Sequence, residues 1–252
     1  PVEDEKPVDP NKATTDDGST PLIVAALGGH VDAVRVLLEQ NADPNIARTT
    51  DGSTPLYMAA YNGHVDAVRA LLEQNADPNI ARTDNGSTPL FMAAMDGHVD
   101  AVRALLEQNA DPNLARTDNG ATPLCVAAWK GHVDVATALL EHNADPNQAR
   151  TDTGATPLFE AAQKGHLDTV KALAEAGGTT GTVLTSNGAT DLWAACWKGH
   201  VDVVRYLVAQ PTVDVNRGRT DARDAIVGEG DDPHPGTTPL EVAVLEGHTA
   251  IA

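Results

Sequence analysis

The sequence predicts an all-α solenoid of helix-turn-helix repeats joined by short hairpin-like fingers. Two observations carry most of this. Six Thr-Pro-Leu triplets begin at Thr20, Thr54, Thr88, Thr122, Thr156 and Thr238, and a Thr-Asp-Leu variant begins at Thr190. From Thr20 to Thr190 the starts are 34 residues apart, and Gly-His follows each of the seven starts nine residues on. A fixed period of this length marks stacked supersecondary units, each resting on its neighbours. Composition agrees. Apolar residues make up 41% of the 252 but aromatic ones only 3%, so Ala, Val and Leu must fill the interior, as closely packed short helices require.

Repeat three shows each element in order. Thr88 is placed as a helix N-cap, with Pro89 at the first helical position, where a missing N–H costs nothing. Leu90, Ala93 and Ala94 form the inner face of a short first helix, and Gly97, able to take positive φ, ends it. Asp100 falls in the first turn of the second helix, where the helix dipole favours an acid. Val99, Val102, Leu105 and Leu106 are spaced as one helical face. Residues 109–112 end that helix. Residues 113–121, with Asn119-Gly120, read as a finger returning to the next Thr. Helices this short are marginal alone, so each repeat depends on the next.

The recurring string T-P-L-x-x-A-A-x-x-G-H-V-D-x-V-x-x-L-L-E-x-x-A-D-P-N resembles the ankyrin repeat, from residue 8 onward. The tetratricopeptide repeat shares the period but not the Trp, Gly-Tyr and Pro pattern. Ankyrin repeats usually run ~33 residues, and the additional residue here falls in the finger. The resemblance implies a curved right-handed stack, with fingers and first helices lining a concave face, and protein–protein binding as its activity.

Residues 1–14 read as an acidic lead-in carrying the finger of a missing repeat, because Asp9-Pro10-Asn11 precedes Asp43-Pro44-Asn45 by one period. Residues 15–252 are the repeat domain. Repeat five degenerates after Leu173: A-E-A-G-G-T-T-G replaces L-E-Q-N-A-D-P-N, and Asp191 replaces the helix-starting Pro. Extra glycine raises the entropic cost of order, so a soft joint is expected at residues 177–186. Between repeats six and seven the spacing rises to 48. The insert, residues 217–236, is either a binding lobe or a tolerated insertion. The start without Met, and a seventh repeat that stops inside its second helix, read as a segment of a longer protein.

Several function classes fall away. A net charge of −19 opposes nucleic acid and anionic membranes, and keeps a long stack soluble and monomeric. Cys125 and Cys196 lie two repeats apart, too far for a disulfide. Two free thiols suit a reducing, cytoplasmic setting. His30, His64, His98, His132, His166, His200 and His248 come one per repeat, so they cannot converge on one metal ion. They read as local hydrogen-bonding residues between helices, and no metal or cofactor is expected. Asp152-Thr153-Gly154-Ala155 matches the string around an aspartic-protease carboxylate, but it occupies a finger turn and no second D-T-G occurs. No catalytic residue is assigned. Arg48, Arg82, Arg116, Arg150 and Arg219 recur in the fingers, each two residues before a polar or acidic one, and read as local exposed pairs.

The aromatic residues carry the functional signal. Seven of eight sit on first helices. Those directly after the triplet, with Tyr57, Phe91, Phe159 and Trp193 among them, read as packing between repeats. The position after each Ala-Ala pair (Ala-Cys in repeat six) holds Leu27, Tyr61, Met95, Trp129, Gln163, Trp197 and Leu245, and in the resembling family this position faces the groove. The residue after it turns basic in repeats four to six, as Lys130, Lys164 and Lys198. Tyr61, Met95, Trp129, Gln163 and Trp197 are expected to form one partner-binding line. Met58 and Met92 would be adaptable neighbours, and the three lysines would receive an acidic part of a protein or peptide partner. The reading is a non-enzymatic interaction module. Its rivals are the targeting arm of a larger enzyme and a passive spacer.

Overall fold

The computed structural model describes residues 9–13, 16–181, 188–218 and 236–251. The chain divides into two compact units, Pro1–Asp111 and Pro112–Ala252. The first holds α1 (Pro21–Leu27), α2 (Val31–Glu39), α3 (Pro55–Tyr61), α4 (Val65–Glu73), α5 (Pro89–Met95) and α6 (Val99–Glu107). The second holds α7 (Pro123–Lys130), α8 (Val133–Glu141), α9 (Pro157–Lys164), α10 (Leu167–Glu175), α11 (Asp191–Lys198), α12 (Val201–Val208) and α13 (Pro239–Leu245). All are α-helices, and no strand occurs among the described residues.

Each first helix begins on its threonine. The Thr54 hydroxyl accepts the Tyr57 N–H at 3.1 Å, and the Thr122 hydroxyl accepts the Cys125 N–H at 3.1 Å. Such a cap contributes about 1 kcal/mol. Second helices start after the histidine, with an aspartate in the first turn. In the first four repeats they are followed by asparagines in the left-handed region, such as Asn75 at φ 61° and Asn109 at φ 63°, a conformation Asn tolerates through local hydrogen bonding.

Within the first unit α1, α3 and α5 pack in a row, and α2, α4 and α6 in another. In the second, α7, α9, α11 and α13 form one row and α8, α10 and α12 the other. Leu56, Leu71, Leu90 and Leu105 in the first unit, and Leu124, Leu139, Leu158 and Leu173 in the second, are almost fully buried. Each contributes roughly 1.5–3 kcal/mol of burial.

Two side-chain ladders tie successive repeats, and neither was anticipated in full. The first uses the asparagine of each D-P-N. The Asn79 amide accepts the Asp111 N–H at 2.8 Å and donates to the Asn109 carbonyl at 3.3 Å. Asn113 does the same for Asp145 and Asn143 in the second unit. The second ladder corrects the expectation that the Gly-His histidines act locally. His64 Nε2 donates to Leu27 O (3.2 Å), His98 to Tyr61 O (3.2 Å), His166 to Trp129 O (3.1 Å), His200 to Gln163 O (2.9 Å) and His248 to Trp197 O (3.1 Å). A carbonyl can only accept, so Nε2 carries the proton. The glycine of each pair makes room for this contact. A Cβ on Gly131, which sits at φ 76°, would lie 2.5 Å from His166 Nδ1.

The fingers are closed turns. Arg82 N–H donates to Ser87 O at 2.9 Å, and Arg150 N–H to Ala155 O at 2.9 Å. The degenerate joint is better tied than its composition implies. Asn147 still holds the Thr179 N–H and Gly177 O. Gly181 stands where the next ladder asparagine would be, and its N–H is taken by the Asp191 carboxylate at 3.1 Å. That aspartate, in place of the usual proline, also accepts the Leu192 N–H at 2.9 Å. The rest of the expected soft joint, residues 182–186, lies outside the described residues. So does most of the insert, residues 219–235, and Arg219 with it. At the insert's base Gly218 lies against Gly236, where a Cβ would come 2.9 Å from the carbonyl oxygen.

Candidate interaction surfaces

The two aromatic positions separate as the helical pattern requires. Directly after the triplet, Tyr57, Phe91, Cys125, Phe159 and Trp193 are all buried. One turn later the side chains emerge: Tyr61 is 43% exposed and Trp129 39%, while Met95, Gln163 and Trp197 are half-buried. Their backbone carbonyls are the ones the histidine ladder grips for Tyr61, Trp129, Gln163 and Trp197. The exposed side chains therefore stand on fixed main chain.

In the first unit, Tyr61 and Met95 border a cleft of about 370 Å³. Met58 and Met92 form its floor; both are more than nine-tenths buried, so they back the surface and are not its outer edge. Arg48 and Arg82 close it on the finger side. The Arg82 guanidinium lies 5.7 Å over the Tyr57 ring, and the Tyr57 hydroxyl meets Ser87 Oγ at 3.3 Å. Both arginines are paired: Arg48 with Asp17 at 2.8 Å, in the preceding finger, and Arg82 with Asp84 at 2.5 Å. Asp51 sits between them, 3.9 Å from one and 3.6 Å from the other. The expected local pair forms at Arg82, Arg116 and Arg150, but Arg82 also reaches Asp51 of the preceding finger and Arg150 the buried Glu160, while the shortest pair of Arg48 is with Asp17 of the preceding finger.

In the second unit the same helix position carries indoles and ammonium groups. Lys130 Nζ lies 4.9 Å from the Trp129 ring centroid and Lys164 Nζ 5.1 Å from it. Lys198 Nζ lies 3.6 Å above the Trp197 ring. Trp197 tilts against Trp193 at 5.5 Å between centroids, and Trp193 Nε1 donates to Thr237 O at 3.1 Å. The position of the first unit's methionine floor is filled here by Val126, Glu160 and Ala194. Glu160 is buried against Arg150 at 3.1 Å. Burial raises its pKa, and Arg150 partly opposes the shift.

Residues weighed for chemistry are otherwise engaged. Asp152 is bonded to Arg150 at 2.6 Å, which holds its carboxyl below the usual range. Cys125 and Cys196 are buried free thiols, and burial pushes Cys196 up to about 12, so it is protonated at neutral pH. No group of three metal-ligating side chains converges among the described residues. No helix among them is long and apolar enough to cross a membrane.

Stacked helix pairs with a constant frame and variable, exposed first-helix ends define a tandem helical-repeat protein. A family model for ankyrin repeats matches residues 5–82, 80–150 and 145–219, and the chain belongs to the ankyrin-repeat family. Ankyrin repeats generally mediate protein–protein interaction and are typically non-catalytic. No curated protein matches the chain.

Proposed function

We propose that the protein is a non-enzymatic interaction module that docks a protein or peptide partner on the exposed ends of its first helices. In the second unit the contact residues are Trp129, Gln163 and Trp197 with Lys130, Lys164 and Lys198. In the first they are Tyr61 and Met95 over Met58 and Met92. The observation that carries the reading is Trp129. A large aromatic side chain is 39% exposed on a backbone pinned by His166. Rigid aromatic anchors dominate interface energetics, and nothing in the helix's own packing requires an indole at that position. A monomeric, cytoplasmic protein goes with this reading, supported by the strong net charge and the two free thiols.

Selection of peptides from a displayed library against the full chain tests it. The expected result is a binder set that the wild type retains and the Trp129→Ala, Trp197→Ala double variant loses, with the thermal melt preserved. Binders indifferent to that variant, or no binders at all, would favour a spacer.

A further inference from the structure

We infer that the second unit's tryptophan–lysine surface takes an acidic peptide segment, in which carboxylates alternate with apolar side chains. The inference rests on the interaction reading above and names the chemistry of the partner.

The protein is strongly acidic, and it has six lysines. Three of them, Lys130, Lys164 and Lys198, follow the exposed position on successive first helices of one unit. Among the described residues of this unit, Arg116 bonds Asp118, Arg150 bonds Asp152 and Glu160, and Lys171 lies 3.7 Å from Asp168, while Arg205 on α12 and Arg217 near the insert's base lie outside the first helices. The three strip lysines make no ion pair among the described residues. Their ammonium groups rest instead on the indoles, at 4.9, 5.1 and 3.6 Å.

This arrangement prepares a site for carboxylates. A cation held over an aromatic face is positioned and partly stripped of water, yet it keeps N–H donors directed outward. A carboxylate can bond the ammonium without lifting it from the ring. The indole edges left between the lysines offer apolar contact to the intervening side chains. Attraction acts over roughly 8–10 Å at ordinary ionic strength. A short acidic segment therefore meets the lysines, while a long polyanion or an anionic bilayer also meets the surrounding carboxylates and is repelled.

The test uses the full chain and two short labelled peptides, one alternating Glu and Leu and one with Gln replacing Glu, read by fluorescence anisotropy. The acidic peptide is expected to bind on the order of tenfold more tightly at low ionic strength, with the preference shrinking as salt rises. The Lys130→Gln, Lys164→Gln, Lys198→Gln variant should lose the preference. The Lys12→Gln, Lys171→Gln variant should keep it, with both melts unchanged. Equal binding of the two peptides, no binding of either, or a preference untouched in the triple variant overturns the inference. So does binding of an oligonucleotide or phosphatidylserine vesicles in place of the acidic peptide. If library-selected peptides depend on Trp129 but are indifferent to the lysines, the acidic partner falls and the interaction module stands.

Discussion

Seven residues after the threonine cap of each first helix, the first unit carries Leu27, Tyr61 and Met95, and the second carries Trp129, Gln163 and Trp197. Behind these side chains the framework is the same. A histidine from the following repeat holds the main-chain carbonyl of Tyr61 in one unit and of Trp129 in the other, at 3.2 and 3.1 Å. The first unit's cleft is floored by methionine, and its arginines are matched by aspartates. The second unit has no methionine floor, and its lysines rest on indoles. Framework and variable surface are thus separable at this position, because the histidine there grips the main-chain carbonyl whatever side chain the residue carries.

The sharpest way to break that equivalence of framework is in the core. Leu71→Ala in the first unit and Leu139→Ala in the second should each cost about 2–5 kcal/mol by chemical denaturation. A cost under 1 kcal/mol at either would show a loosely packed unit.

The units should next part company with pH. Burial pushes Asp191 up to about 6 from an ordinary 3.8. Because the folded form binds the proton more tightly, this contribution is fully present below 3.8 and is lost as pH rises through about 6. The difference is on the order of 3 kcal/mol. Glu160 is shifted in the same direction. Wild-type stability should therefore fall between pH 4 and 6.5, and Asp191→Asn should flatten much of that slope. An unchanged slope would place the carboxylate in a wetter setting.

Binding separates the surfaces more directly. Trp129→Ala should weaken a second-unit partner by about 2 kcal/mol, the hot-spot scale, with its melt intact, because His166 still finds the same carbonyl. Tyr61→Ala should leave that partner's affinity unchanged.

A smaller effect tests the asparagine ladder. Asn79→Ala and Asn113→Ala each remove one accepted and one donated bond to the next turn. Each should cost roughly 1–2 kcal/mol, and to a similar extent in the two units.

The sequence made the helices legible because their signals are local: a threonine cap, a proline after it, and apolar residues on one helical face. It also separated the buried from the exposed aromatics, since Tyr57 and Tyr61 differ by one turn of the same helix. Contacts spanning about one repeat were less legible. The hold of His166 on Trp129 and the bond from Asp111 to Asn79 join residues 37 and 32 apart. Their signal was the recurrence of Gly-His and D-P-N at the repeat period, which marks what each repeat needs from its neighbour. Asp191 misled for a related reason. As a replacement for proline it looked like a lost helix start, but its carboxylate answers a glycine ten residues earlier.

The three indole N–H signals of the chain give the most direct measurement of the central claim. In a nitrogen–proton correlation spectrum, addition of a selected partner peptide should shift or broaden the Trp129 and Trp197 indoles, assigned by single Trp→Phe variants. The Trp193 indole, bonded to Thr237, should move least. Unmoved Trp129 and Trp197 signals, with the changes confined to second-helix amides in α8, α10 and α12, would contradict the account.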